Sequence, residues 1–117
     1  MTQALEIAKL YFELSNKSDF VGIENLMTEA TTYSSQTTGV YLGVSDILAM
    51  QGIFQAKFTS LKWHINSAEE LKPGVVLFDY DFVGELPSGE KVEASGLEFV
   101  IIYQGKIQHI EIRSKAE

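Results

Sequence analysis

Among the 117 residues, one carboxyl stands out by its surroundings. Glu98 lies within Leu97-Glu98-Phe99-Val100-Ile101-Ile102-Tyr103, an otherwise apolar run with the character of a strand. Alternation puts it on one face with Val92, Ala94, Gly96, Val100 and Ile102. A carboxyl on a buried face loses its hydration, which raises its pKa unless a donor such as Tyr11 stabilises the ionised form. The chemistry this offers is that of a neutral acid in an apolar pocket, donating a hydrogen bond or a proton. The competing reading is a carboxylate at a cavity mouth or sheet edge, solvated by water. Tyr11, on the apolar face of a first helix, is either a polarising hydroxyl or a core residue whose hydroxyl finds one partner.

Other titratable groups are less pointed. Asp79, Asp81 and Glu85 share one face of a strand, but a divalent ion asks for ligands converging from several elements, so a solvated or dimer-facing surface is expected and no metal site. His64 and His109 each alternate with apolar neighbours on solvent-type faces, and His109 is placed to pair with an acid on a neighbouring strand. The chain has no cysteine, which removes thiolate nucleophiles, Cys-ligated zinc and iron–sulfur clusters. No cofactor is expected. Nine basic against 16 acidic residues give a net charge of -7, and no basic patch forms, so nucleic acid is not an expected partner. The opening residues MTQALEIAKLYFELSNK mix charge with apolar side chains, unlike a signal peptide or membrane span, and a soluble cytoplasmic protein with no membrane partner is expected.

The elements that must position these groups follow from period and punctuation. With 45% apolar residues, the chain is long enough for one domain over 1–117 that folds without metal or disulfide. Residues Thr2 to Asn16 have the pattern of a helix with a wide apolar face, and Ser18 or Asp19 caps a second, short helix carrying Phe20, Ile23, Leu26 and Met27. Ala30 to Gln36 suits a strand, Thr38-Gly39 a turn, and Asp46 to Lys57 a third helix with Ile47, Met50, Ile53 and Phe54 inward. Beyond Phe58 the period becomes two: a strand through Leu61, Trp63 and Ile65, then Val75 to Leu86, Lys91 to Tyr103 and Lys106 to Arg113, separated by Lys72-Pro73-Gly74, Pro87-Ser88-Gly89 and Gln104-Gly105. The order is helix, helix, strand, helix and a four-strand meander. It predicts an α+β fold in which a curved antiparallel sheet packs on three N-terminal helices around a cone-shaped cavity.

This order resembles the nuclear transport factor two-like superfamily, with its cystatin-like fold, and within it the branch of ketosteroid isomerase and the SnoaL-like polyketide cyclases. The residues that carry the resemblance are Asn16-Lys17-Ser18-Asp19-Phe20-Val21-Gly22-Ile23 through Leu26-Met27, then Ala30-Thr31, Tyr41-Leu42-Gly43 and Gly105-Lys106-Ile107. They specify a fold, and the fold hosts isomerases, dehydratases, epoxide hydrolases, cyclases and non-catalytic proteins. The isomerase mechanism uses a carboxylate base with an oxyanion hole of a tyrosine and a protonated carboxylic acid. The resemblance places Tyr11 at the tyrosine and Glu98 at the acid. It puts Ser34 at the base, where a hydroxyl cannot accept the proton unaided, and Gln51 in place of a supporting tyrosine. A histidine with a carboxylate, as His109 would make, is how some relatives carry out dehydration.

Two functions remain open on these residues. One is the binding of a small apolar molecule in the cavity; the other is an acid–base enzyme of isomerase, dehydratase or cyclase type using Glu98 and Tyr11. The expected ligand contacts are Ser34, Gln51, Phe54 and Val100, with Ile110, and with Phe78, Tyr80 and Phe82 facing Glu98 across the cavity. Trp63, Leu97, Phe99, Ile101 and Tyr103 are assigned to an outer sheet face with more large apolar side chains than three helices can cover. That predicts a two-fold homodimer through the sheet.

Overall fold

The computed structural model describes residues 2–115. The first helix, α1 (Gln3–Asn16), begins where the Thr2 hydroxyl accepts from the Leu5 amide, and it buries Ala8, Tyr11, Phe12 and Ser15 along one stripe. Asp19 caps α2 (Phe20–Glu24) by accepting from Gly22 N–H at 2.9 Å. Between the two helices Ser18 takes a left-handed conformation, and its hydroxyl donates to Gln55 Oε1 at 2.5 Å, tying this corner to the end of the third helix. That helix, α3 (Val44–Gln55), starts at Gly43 without a side-chain cap. Gly43 has φ 93°, and a Cβ there would stand 3.2 Å from the Glu29 carbonyl oxygen, so the chain can enter the helix this closely only with glycine.

Six strands form one curved, unclosed sheet: β1 (Thr32–Ser35), β2 (Gly39–Leu42), β3 (Ser60–Lys72), β4 (Val75–Glu85), β5 (Lys91–Tyr103) and β6 (Lys106–Ser114), in the order β2-β1-β6-β5-β4-β3. The expected meander is there, with two departures. Val40-Tyr41-Leu42, assigned to no element by the sequence pattern, is an edge strand paired antiparallel with β1. The sheet is also mixed, because β1 runs parallel to β6, Thr32 opposite His109 through Ser35 opposite Ile112. Extra residues at Asn66 and Leu71 in β3 and at Gln108 in β6 shift the register and bend the sheet around α1.

Parity along the strands separates two faces. The inner face carries Val76, Phe78, Tyr80 and Phe82 of β4, Glu98 and Val100 of β5 and Ile107 and Ile110 of β6, all buried. The outer face carries Leu77, Asp79, Leu97, Phe99, Ile101, His109 and Glu111, which are half-exposed. On α3, Ile47 and Met50 point inward as the pattern implies, but Ile53 is 69% exposed, because the helix presents Met50, Gln51 and Phe54 to the sheet and turns Ile53 away. Trp63 is also on the inner face, opposite Phe82 across the β3–β4 ladder with ring centroids 4.9 Å apart, and so does not belong to the outer apolar surface.

Candidate functional site

The inner face does not close completely over α1 and α3. It leaves a cavity of about 250 Å³ whose walls come from every layer of the fold. Phe54, Trp63 and Phe82 form one aromatic wall, with Tyr80, Phe12 and Met50 beside it. Tyr11, Ser15, Gln51 and Glu98 bring polar atoms to the inner end, and Thr37, Thr38, Val92 and Ala94 line the side where the chain is more exposed. Among the described residues that line the cavity, Glu98 is the one carboxyl and none carries a positive charge.

Local structure explains each position. Asn16, the last residue of α1, clamps β3 by donating Nδ2–H to the Trp63 carbonyl at 2.9 Å and accepting the Trp63 N–H at 2.7 Å. This fixes the helix end and the indole together. Tyr11 belongs to the buried stripe of the same helix, one turn before Ser15, so it reaches the cavity with Phe12 and Ser15. Gln51, on α3, donates Nε2–H to the Tyr11 hydroxyl oxygen at 2.7 Å. Glu98 is opposite Phe78 on β4 and Ile112 on β6, so apolar side chains flank it within the sheet. Two residues away Gly96 is opposite Tyr80, and a Cβ there would stand 2.7 Å from the Tyr80 hydroxyl and 2.9 Å from the Arg113 carbonyl oxygen.

The electrostatics follow from burial. Glu98 is 3% exposed, and its carboxyl takes no hydrogen bond among the described residues. Desolvation alone pushes its pKa up to about 8, so the acid is mostly protonated at neutral pH. Burial also raises Tyr11 and Tyr33 well above the ordinary phenol value, with a further rise from the charge Glu98 would carry. Tyr80 is pushed up to about 12 by burial and then by Glu98. The hydrogen bond from Gln51 to the Tyr11 oxygen acts the other way without reversing the shift. The cavity therefore offers neutral donors and no base ionised at low pH.

The expected ligand set is only partly gathered here. Gln51, Phe54, Tyr80 and Phe82 line the cavity with Glu98 and Tyr11. Phe78, Val100 and Ile110 do not: each is fully buried in the core beyond the cavity, Phe78 packed on Phe12 at 4.4 Å between centroids. Phe78 pairs with Glu98 across the β4–β5 ladder, and Tyr80 and Phe82 follow on β4 opposite Gly96 and Ala94, so the three belong to the adjacent strand of the same sheet face as Glu98. Ser34 is on the wrong face. Its hydroxyl donates to Glu111 Oε2 at 3.2 Å on the outer side, while Tyr33 and Ser35 face the cavity. A one-residue shift in counting along β1 reverses the face, and the alternation of the buried Tyr33 carries the signal that assigns it correctly. Trp63, Ser35 and Ile112 are cavity residues that the sequence reading did not assign.

On the outer face His109 Nε2 meets Glu111 Oε1 at 3.0 Å, two residues along its own strand, and His109 Nδ1 meets the Thr32 hydroxyl at 2.7 Å. The acid that pairs with His109 is thus not on a neighbouring strand, and the pair is on the far side of the sheet from the cavity. Asp79 is engaged by Lys115 and Asn66, and Asp81 by Ser95. No group of three or more metal-ligating side chains occurs among the described residues.

No protein-family model and no curated protein matches the sequence. Solved structures do. A protein of unknown function from Burkholderia pseudomallei, described as nuclear transport factor two-like, superposes with a TM-score of 0.86 at 9% identity, over 98% of this chain and 92% of that one. The chain has the nuclear transport factor two-like fold. A SnoaL-like polyketide cyclase from Jannaschia sp., so assigned in its description, gives 0.83 at 13% identity over 97% and 85%. A protein from Catenulispora acidiphila with a ketosteroid isomerase-like fold, in complex with trimethylamine, gives 0.82 at 13% over 92% and 84%. Identities this low establish the nuclear transport factor two-like architecture and leave the chemistry to the residues that line the cavity.

Proposed function

We propose that the chain, acting as one unit over 1–117, binds a small and largely apolar molecule in the cavity through an oxygen atom to which neutral Glu98 donates. The observation that carries this reading is the buried Glu98 carboxyl, which has no hydrogen-bond partner among the described residues and stands in a cavity walled by aromatic rings. A carboxyl in that position costs stability, and a costly polar group is commonly retained for function. The complex of a ketosteroid isomerase-like structure with trimethylamine supports occupancy of this architecture by a small molecule. Trp63 is the single tryptophan of the chain and lines the cavity, so its fluorescence reports occupancy. Titration with the aromatic ketone 1-tetralone is expected to quench it saturably at pH 6, with affinity falling as pH rises through about 8 and Glu98 loses its proton. The absence of saturable quenching at pH 6 would overturn the reading.

A second reading, an acid–base enzyme of isomerase, dehydratase or cyclase type, is favoured by a Glu98 pKa close to neutrality, where a group exchanges protons most usefully. Tyr11 then polarises the substrate oxygen. Tyr33 and Ser35, the cavity-facing residues of β1, supply no second carboxyl. Isomerisation of a β,γ-unsaturated ketosteroid is accordingly expected to be undetectable, and Ser35→Asp is the variant in which it would first appear.

The same proposal includes a two-fold homodimer through the outer face, where Leu77, Leu97, Phe99 and Ile101 are half-exposed and Tyr103 is 62% exposed. A monomeric mass by light scattering at micromolar concentration would remove it. No helix among the described residues is long and apolar enough to cross a membrane, and a cytoplasmic location completes the proposal.

A further inference from the structure

Gln51 is 8% exposed and lines the cavity, yet only half of its amide is used. Nε2 donates to the Tyr11 oxygen, while Oε1 is buried and has no hydrogen-bond partner among the described residues. An acceptor left this way costs more than the hydrogen bond it fails to make, since its hydration has been stripped without replacement. The neighbouring phenol is complementary. Its oxygen accepts from Gln51 Nε2, and among the described residues no hydrogen bond uses the Tyr11 proton, which is left to donate outward. A free acceptor and a free donor thus stand side by side on groups already bonded to each other. An ester or ketone can take the Tyr11 proton, but it has nothing to offer Gln51 Oε1.

From this juxtaposition we infer that the cavity selects a ligand bearing a hydroxyl group, which bridges Tyr11 and Gln51 by accepting the Tyr11 proton and donating its own to Oε1. The bridge closes a ring of three hydrogen bonds with the existing Gln51–Tyr11 contact, so the Tyr11 proton and Gln51 Oε1 are satisfied at once. With aromatic walls on Phe54, Trp63 and Phe82, the ligand class is an aromatic or alicyclic alcohol or phenol. This specificity rests on the binding proposal above and adds a hydrogen-bond donor to the ligand.

Isothermal titration calorimetry at pH 6 with 2-naphthol, 2-methoxynaphthalene and naphthalene separates the two. The methoxy compound keeps the oxygen acceptor and loses the donor. The wild-type chain is expected to bind 2-naphthol about tenfold more tightly than either analogue, the size of effect that accompanies pairing one otherwise unsatisfied buried group. In Gln51→Met, which keeps the length of the side chain without its amide, that preference is expected to collapse to within about twofold. Steric exclusion of the methyl group would survive the substitution, so retained discrimination in Gln51→Met overturns the inference. Equal affinity for the three compounds in the wild type also overturns it and leaves an apolar binding cavity in place. Binding of none of them overturns the inference together with the cavity reading on which it rests.

Discussion

Glu98 and Glu111 are on adjacent strands, one residue out of register, since Glu98 is opposite Ile112 and Glu111 opposite Phe99. They differ in face. Glu111 is half-exposed on the outer side, where hydrogen bonds from His109 first and Ser34 second hold its carboxyl below the ordinary carboxylate range. Glu98 is on the inner side, where burial without a partner moves it the other way, to about 8. Strand parity thus converts one residue type into a surface anion and a buried neutral acid within a few ångströms of backbone. The candidate chemistry belongs to the inner residue because water and hydrogen-bond partners are withheld from it.

The contrast is broken most severely by placing a cation at each position. Glu98→Lys buries a charge among Tyr80, Phe82 and Ile112 with no anion to meet it, and a loss of about 3 kcal/mol, or roughly 10 °C in Tm, is expected by calorimetry. Glu111→Lys is expected to shift Tm by only a few degrees. Removing the charge while keeping the shape gives the next largest effect. The folded-state pKa of Glu98 lies above the ordinary 4.5, so its favourable contribution is complete below that value and is lost as pH rises towards 8. Glu98→Gln should therefore match the wild type near pH 4 and exceed it at neutral pH by a few kcal/mol in urea unfolding. Glu98→Leu should likewise keep or raise Tm. A wild-type chain more stable than both variants at neutral pH would show the carboxyl to be a structural hydrogen-bonding centre.

Smaller effects sharpen the comparison. Tyr11→Phe strips Gln51 of its one partner and is expected to cost about 1 kcal/mol. Glu111→Gln should change stability by at most about 0.5 kcal/mol, as is usual for exposed pairs. Its pH signature has the opposite sign to that of Glu98. The depressed Glu111 pKa gives stability that is present above the ordinary carboxylate value and fades on acidification.

Much of the architecture could be read from the chain because its cues are local. The apolar stripe of α1, the Asp19 cap and the turns at Pro73-Gly74, Ser88-Gly89 and Gln104-Gly105 place their elements within a residue or two. The burial of Glu98 followed from the same alternation. The rest depends on distant partners. β2 is short and exposes Val40 and Leu42, so nothing in its own pattern marks it as a strand, and the parallel pairing of β1 with β6 joins residues more than 70 apart. Cavity and core residues are equally apolar, so periodicity gave the face of Phe78, Val100 and Ile110 but not their depth. Ser34 shows the sharpest limit: a position carried over from a resemblance by counting on from Ala30-Thr31 can err by one residue, and in a strand one residue is the whole difference between the two sides.

Gly96 touches no ligand position, yet it governs how the cavity can diversify. A single added methyl group would meet both the Tyr80 hydroxyl and the β6 backbone, so enlarging that residue disturbs the cavity wall and the strand pairing in the same step. Selection acting on ligand size has little room at that position, where any added side chain is coupled to folding. The more open side has room: Thr37 and Val92 are exposed, and no hydrogen bond within the described residues engages the buried Thr38 hydroxyl. Descendants of this chain are therefore expected to keep the inner polar end fixed while altering preference from the entrance inward, inheriting one chemistry and varying the molecules that reach it.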